Sequence, residues 1–181
     1  MGTDEESTLN ALRSHREVVD GLIGVHKGRV FNSAGDSVVA EFPSAVEAIN
    51  CAVEIQQEME GRNKVVPADK RLRFRIGLNI GDLMVEGGNL FGDGVNVAAR
   101  IQELAEPGGI CVAQNIYNQV KAKVGLSFEA LGEHHVKNIA EPVSIFRVLT
   151  AGVSAPAKPM PFANMTRSRP QPWPKWQAQS L

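Results

Sequence analysis

The chain has 181 residues, of which 43% are hydrophobic and 22% charged, the balance of a folded domain with one core and not of a disordered or fibrous chain. Nineteen Lys and Arg stand against twenty Asp and Glu, a net charge of −1, so no overall field draws the molecule to nucleic acid or acidic lipid. No apolar run approaches the roughly 18 residues of a transmembrane helix, and the polar, acidic N-terminus is unlike a signal peptide, which predicts a cytoplasmic protein. Cys51 and Cys111 fall in apolar segments without metal-ligand spacing. They read as buried free thiols in preference to a disulfide, and zinc is not indicated.

In chain order, Thr3 with Glu6 has capping-box spacing, and Leu9, Leu12, Val19, Leu22 and Ile23 follow at helical intervals, predicting a helix over 4–26. Residues 29–33 and 37–42 are β-rich runs around Ala34-Gly35-Asp36, a hairpin pattern. Pro43 and Ser44, with Glu47 three residues on, open a second helix that should end near Gly61. Leu72, Phe74, Ile76, Leu78 and Ile80 alternate with Arg73, Arg75, Gly77 and Asn79, the period of two of a strand. Asp82 to Glu86 can return as the next strand, with Gly87-Gly88-Asn89 as a turn before a helix over 94–105. A short buried strand (110–113), a helix (115–124) and a terminal hairpin (128–137 with 143–149) complete residues 1–150. Helices and strands interleave, but the hairpins imply antiparallel pairing. The fold class is therefore α+β, a central, mostly antiparallel sheet with flanking helices, and not a doubly wound parallel sheet.

Residues 151–181 differ in composition. Six of the ten prolines and both tryptophans lie there, with four basic residues and no acid, so residues 1–150 hold fifteen basic residues against twenty acidic ones. This tail reads as disordered or as a linker, with a docking arm as the alternative.

Two segments could carry chemistry. Gly35-Asp36 places a carboxylate at a tight turn; it is an ordinary turn pair, or a ligand for Mg²⁺, which takes one or two carboxylates with phosphate oxygens. In Gly92-Asp93-Gly94-Val95-Asn96-Val97-Ala98-Ala99-Arg100, Asn96 and Arg100 are i, i+4 on one helical face. They can grip a phosphate together, or form an exposed polar stripe. His134 and His135 are adjacent on a strand and point to opposite faces, which argues against a shared metal site. His15 and His26 fall in the first helix without partners at catalytic spacing, and no nucleophile-elbow pattern supports a hydrolase.

Four blocks in order, AGDSVVAEF, RFRIGLNIGDLMVEG, LFGDGVNVAARIQELAEPGGICV and LGEHHVKNIAEPVSIFRV, resemble the catalytic domains of class III nucleotidyl cyclases, over about Thr3 to Leu149. The resemblance implies a ferredoxin-like cyclase fold and in-line attack of a nucleotide 3′-hydroxyl on its own α-phosphate, assisted by two Mg²⁺ or Mn²⁺ ions. It implies that Asp36 is a metal ligand, that Asn96 orients the ribose, that Arg100 stabilises charge on the α-phosphate, and that Lys137 binds the terminal phosphates unless it is a plain strand lysine. It also implies a homodimer, because in this family metals and the Asn/Arg pair come from different subunits.

The chain departs from the family in two places. The opening strand that carries the first metal carboxylate, in a block resembling FADIVGYS, is not found ahead of the first helix, so the domain reads as N-terminally shortened and weak or inactive as it stands. The positions that choose the base, usually Lys and Asp, align with Asn32 and Asn89. Each asparagine can donate and accept, so ATP is favoured only from the family's habit in bacteria, with GTP as the alternative. Asp93 is read as a helix N-cap or as a further base contact. A non-catalytic cyclase-homology module that binds nucleotide or dimerises is the competing class.

Overall fold

A computed structural model describes residues 2–34, 37–82, 84–86, 89–136 and 139–150, with side chains for residues 9–31, 37–82, 84, 92–136 and 139–150. The elements are α1 (Gly2–Val25), β1 (Arg29–Ala34), β2 (Ser37–Glu41), α2 (Ala45–Asn63), a 3₁₀ turn (Ala68–Lys70), β3 (Ile76–Leu78), β4 (Met84–Glu86), β5 (Asn89–Phe91), α3 (Asp93–Leu104), β6 (Ile110–Ala113), α4 (Gln114–Val120), β7 (Ser127–His134) and β8 (Val143–Leu149).

Helix ends follow local chemistry. Lys27, at φ 59°, turns the chain out of α1, and Gly28 N–H donates back to Ile23 O at 2.8 Å, the closure of a Schellman motif. Ser44 caps α2, its Oγ accepting from Glu47 N–H at 3.2 Å.

Strands β3-β6-β8-β7 form one sheet in that order. The β3–β6 pair is parallel, and β6–β8 and β7–β8 are antiparallel. All four residues of β6 are buried, and their alternation divides the core. Ile110 and Val112 pack with Val19 and Ile23 of α1, Ile49, Ile55 and Met59 of α2, and Ile116 and Val120 of α4. Cys111 and Ala113 face the other way, to Val97, Ile101 and Ala105 around α3, with Ile145 and Val136. Helices thus cover both faces of the sheet, and the α+β expectation holds.

The strand expected over 72–80 is shorter. Only Ile76–Leu78 is strand, because β6 is its one strand partner among the described residues and pairs over Ile110–Val112. The chain before it keeps its alternation, with Phe74 buried, but has no strand ladder there: Gly108 N–H donates to Phe74 O at 2.7 Å, and side chains supply further bonds. Asn63 donates to Leu72 O at 2.7 Å, and Gln56 Nε2 donates to both Phe74 O and Gly109 O at 3.0 Å. The segment expected to return on this strand instead forms the separate β4–β5 hairpin. Asn89, expected in a turn, opens β5 opposite Glu86.

The β1–β2 hairpin is a two-stranded sheet of its own, antiparallel with a bulge between Val30 and Asn32. Neither the outer edge of β2 over Val38–Glu41 nor that of β3 pairs with another strand among the described residues. Both edges border one cavity of about 340 Å³, walled by Ala45 and Ala48 of α2 and by Val95, Ala98 and Ala99 of α3. Two strand edges separated by a cavity with small-residue walls make a gap of the kind that one further strand would fill.

Candidate functional site

The site is organised by α3. Val97, Ile101 and Gln102 are buried, so residues 96, 100 and 103 occupy the opposite, exposed side of the helix. Asn96 and Arg100 therefore stand one turn apart facing outward. Arg100 donates from Nη1 to both carboxylate oxygens of Glu103, at 2.9 and 3.0 Å. Both partners are about half exposed, and exposed ion pairs are worth no more than about 1 kcal/mol. A phosphate can displace Glu103 from the guanidinium at little cost.

The helix lies unusually close to the strand beneath it. A Cβ on Gly77 would stand 2.3 Å from Ala98 O and 2.4 Å from Gln102 N, and one on Gly81 would stand 2.6 Å from Gly94 Cα. Only glycine fits at these crossings. The N-cap of α3 is Gly92, at φ 143°, with no side-chain cap bond. Asp93 is therefore in the first helical turn and not the N-cap expected from sequence. The chain reaches the helix from β5 through a backbone conformation that glycine alone adopts freely, which leaves Asp93 one residue too late to cap. A carboxylate in that first turn is still favourable to the helix dipole.

The remaining expected site residues are placed unevenly. Asp36 falls between β1 and β2, and Lys137 between β7 and β8; both lie outside the described residues. Asn32 is in β1 opposite Val39 and Asn89 opens β5. β5 lies beside β1, so the two strands that carry these asparagines adjoin. Among the described residues no group of three or more His, Cys, Asp or Glu could hold a metal ion. Asp36 thus remains the metal ligand that the sequence suggests, without a described set around it. No helix among the described residues is long and apolar enough to cross a membrane.

A second cleft, of about 670 Å³, opens beside the start of α3 and is lined by residues that include Asn79, Asp82, Asp93, Asn115, Asn118 and Glu141. Neither cavity is lined by Asn96 or Arg100.

The histidines sit outside this region. His134 Nε2 lies 3.3 Å from Leu131 O. His26, expected in the first helix without partners, is one residue beyond α1, with Nδ1 3.0 Å from Glu47 Oε2 and Nε2 3.2 Å from Glu54 Oε2. Burial disfavours its charged form, but the hydrogen bonds and charges of Glu47 and Glu54 outweigh burial and raise its pKa above 6.5. This cluster ties α1 to α2 and has no reach to α3. Burial pushes the thiols of Cys51 and Cys111 up to about 12 and about 11. Both are free and buried, as expected.

Sequence reasoning overlooked Asn79 and Asn115 and read Gly77 as the polar partner in an alternation. A glycine inside a strand pattern signals close backbone approach, and Gly77 with Gly81 carried that signal.

The model of the adenylate and guanylate cyclase catalytic domain matches residues 3–149. The chain is 47% identical over 147 residues to a Rhizobium meliloti protein named "Putative adenylate cyclase 3", covering 81% of this chain and 25% of that one. It spans about a quarter of that relative's length. Among solved structures, an adenylate/guanylate cyclase/hydrolase from Silicibacter pomeroyi superposes with a TM-score of 0.77 at 39% identity, over 81% of this chain and 87% of that one. The adenylyl cyclase CyaB from P. aeruginosa shares the fold, with a TM-score of 0.66 at 21% identity over 81% and 84% of the two chains. The chain therefore belongs to the adenylate and guanylate cyclase catalytic domain family.

Proposed function

We propose that residues 1–150 form a nucleotidyl cyclase catalytic domain that converts ATP to 3′,5′-cyclic AMP and pyrophosphate for intracellular signalling in the cytoplasm, with residues 151–181 as a linker or tail. The observation that carries this reading is the pair Asn96 and Arg100, exposed one turn apart on a helix held tightly to the sheet. In the reaction the 3′-oxygen bonds to the α-phosphorus while the bond to the bridging oxygen of pyrophosphate breaks. Asn96 orients the ribose so that the 3′-oxygen lies in line. Arg100 leaves Glu103 for the α-phosphate, where a guanidinium offsets the negative charge that grows in the transition state. Lys137 holds the terminal phosphates. Asp36 would hold Mg²⁺ or Mn²⁺, and such ions, when bound, lower the pKa of the attacking hydroxyl and offset phosphate charge. Asn32 and Asn89, on adjoining strands, meet the base. Because an asparagine amide can donate and accept, they suit adenine and also admit guanine.

The site is shared by two copies of the chain. Asn96 and Arg100 face outward and line neither described cavity, which supports a homodimer in which one subunit supplies them and its partner supplies Asp36. The gap between β2 and β3, which no strand fills among the described residues, supports a weak enzyme. The same gap favours, as the second reading, a domain that dimerises and binds nucleotide without turnover.

The test is a cyclisation assay of purified Asp36→Ala and Arg100→Ala, singly and mixed. Each alone should lose about 100- to 1,000-fold in kcat, the effect of removing one charge-stabilising group. Random re-pairing of the two should restore about a quarter of the wild-type rate, because half the dimers then hold one intact site. Full activity of Arg100→Ala would refute its role, and no recovery on mixing would refute the shared site.

A further inference from the structure

We infer that Asn79 and Asn115 are positioning residues that fix the first turn of α3, and through it Asn96 and Arg100. Asn79 is the first residue beyond β3, and its Nδ2 donates to Gly94 O at 3.3 Å. Asn115, at the start of α4, donates from its own Nδ2 to Asn79 Oδ1 at 3.1 Å and to Ile80 O at 2.7 Å. Its Oδ1 accepts from Ile80 N–H at 3.4 Å and from Ile116 N–H at 2.8 Å. One amide thereby uses its donors and both acceptor lone pairs. It engages the N–H and the C=O of Ile80 as a neighbouring strand would, at the point where β3 has run out of partner.

The consequence is a relay of three elements. α4 holds Asn115, Asn115 holds Ile80 and Asn79, and Asn79 holds the carbonyl of Gly94, two residues before Asn96. Gly81 and Gly94 are in backbone contact at the same place, so the amide pair fixes a crossing where neither strand nor helix has a side chain to set its own position. A shift there moves Asn96 directly and Arg100 one turn further on. Two hydrogen-bonded asparagines beside an open cleft contribute little apolar burial, so what they determine is position more than stability.

This inference deepens the cyclase reading and rests on it for its kinetic half. The experiment compares wild type, Asn79→Leu, Asn115→Ala, Asn115→Asp and the double variant Asn79→Leu/Asn115→Ala, using Mn²⁺ with ATP or GTP, together with hydrogen exchange of the peptide covering residues 92–104. Asn115→Asp keeps the two acceptor bonds and loses the two donor bonds, so it separates loss of the relay from loss of the fold. Each single variant should lose about 10- to 100-fold in kcat, the scale of an ångström-size misplacement of catalytic groups. KM should change by less than about threefold, because the displaced groups act on the transition state. The double variant should be no slower than the worse single one. Exchange should quicken in residues 92–104 and stay unchanged in the peptides of α2. Unaltered kcat and exchange in Asn115→Asp, or losses that multiply in the double variant, would overturn the inference. If wild type makes no cyclic nucleotide, the cyclase reading fails by itself. The exchange data still decide the positioning role: faster exchange confined to α3 supports it, and unchanged exchange ends it.

Discussion

Replacing Gly77 by alanine should push α3 off the sheet. The new methyl carbon would stand 2.3 Å from Ala98 O, whereas ordinary contact begins at 3.4 Å, so the helix must retreat by about 1 Å. The clashing atoms are the backbone of Ala98 and Gln102, and no rotamer change can absorb them. Overpacking of this kind costs about 1–3 kcal/mol, against a gain of about 0.4–1 kcal/mol from the stiffer unfolded chain. With a net loss of about 1.3 kcal/mol, and about 2–4 °C per kcal/mol for a chain of this length, the melting temperature should fall by about 3–5 °C. Activity should fall further than stability, by about 100-fold in kcat at a temperature where the variant is fully folded, because the same ångström displaces Asn96 and Arg100. Thermal melts and cyclisation assays on Gly77→Ala measure both, with Gly125→Ala as the control, since a Cβ there meets nothing within 4 Å. A Gly77→Ala protein that melts within about 1 °C of wild type and keeps its activity would refute the close-crossing argument.

Two further outcomes follow from the titrating groups. The raised pKa of His26 means that its pairing with Glu47 and Glu54 stabilises the fold in full below pH 6.5 and is lost as pH rises through the raised folded value. The melting-temperature gap between wild type and His26→Gln should therefore narrow on going from mildly acidic to mildly alkaline buffer, and a gap that widens would contradict the pairing. Cys51 and Cys111, buried with pKa values of about 12 and about 11, should both resist a disulfide-exchange reagent in the native protein at about pH 8 and react on unfolding. Prompt reaction of either thiol in the native state would show that its packing is looser than described.

What was legible in the sequence was local. The Ser44 cap three residues before Glu47, the alternation that includes 76–78 and the four-residue apolar run of β6 each rest on neighbours in the chain, and each marks an element that the structure has. The errors came from long-range partners. Residues 72–75 have the pattern of a strand but no strand to pair with among the described residues, so they are held by Gln56, Asn63 and the Gly108 N–H instead. β5 is not predicted, and its Asn89 is assigned to a turn, because three residues beside two glycines give too little pattern, and only the antiparallel partner β4 makes them a strand. The shared exposed face of Asn96 and Arg100 is legible from their i, i+4 spacing and their roles only from the family resemblance, whereas the bonds of Asn79 and Asn115 span 36 residues of sequence and have no periodic signature. His26 found Glu47 and Glu54 for the same reason.

The cyclase reading proposed above holds that the gap between β2 and β3 limits turnover. The most direct measurement is Mn²⁺-supported turnover of ATP and GTP in parallel, with cyclic nucleotides separated by chromatography and Asp36→Ala as the blank. It is made on this chain and on a version in which a strand bearing an aspartate is fused ahead of Gly2. The chain itself should make cyclic AMP at a low rate that still exceeds the Asp36→Ala blank by about 100-fold or more, and with the strand supplied that rate should rise by about 100-fold or more again, the scale of restoring a metal-supported charge interaction at the transition state. No cyclic nucleotide from either substrate in either form, or equal product from Asp36→Ala, would contradict it.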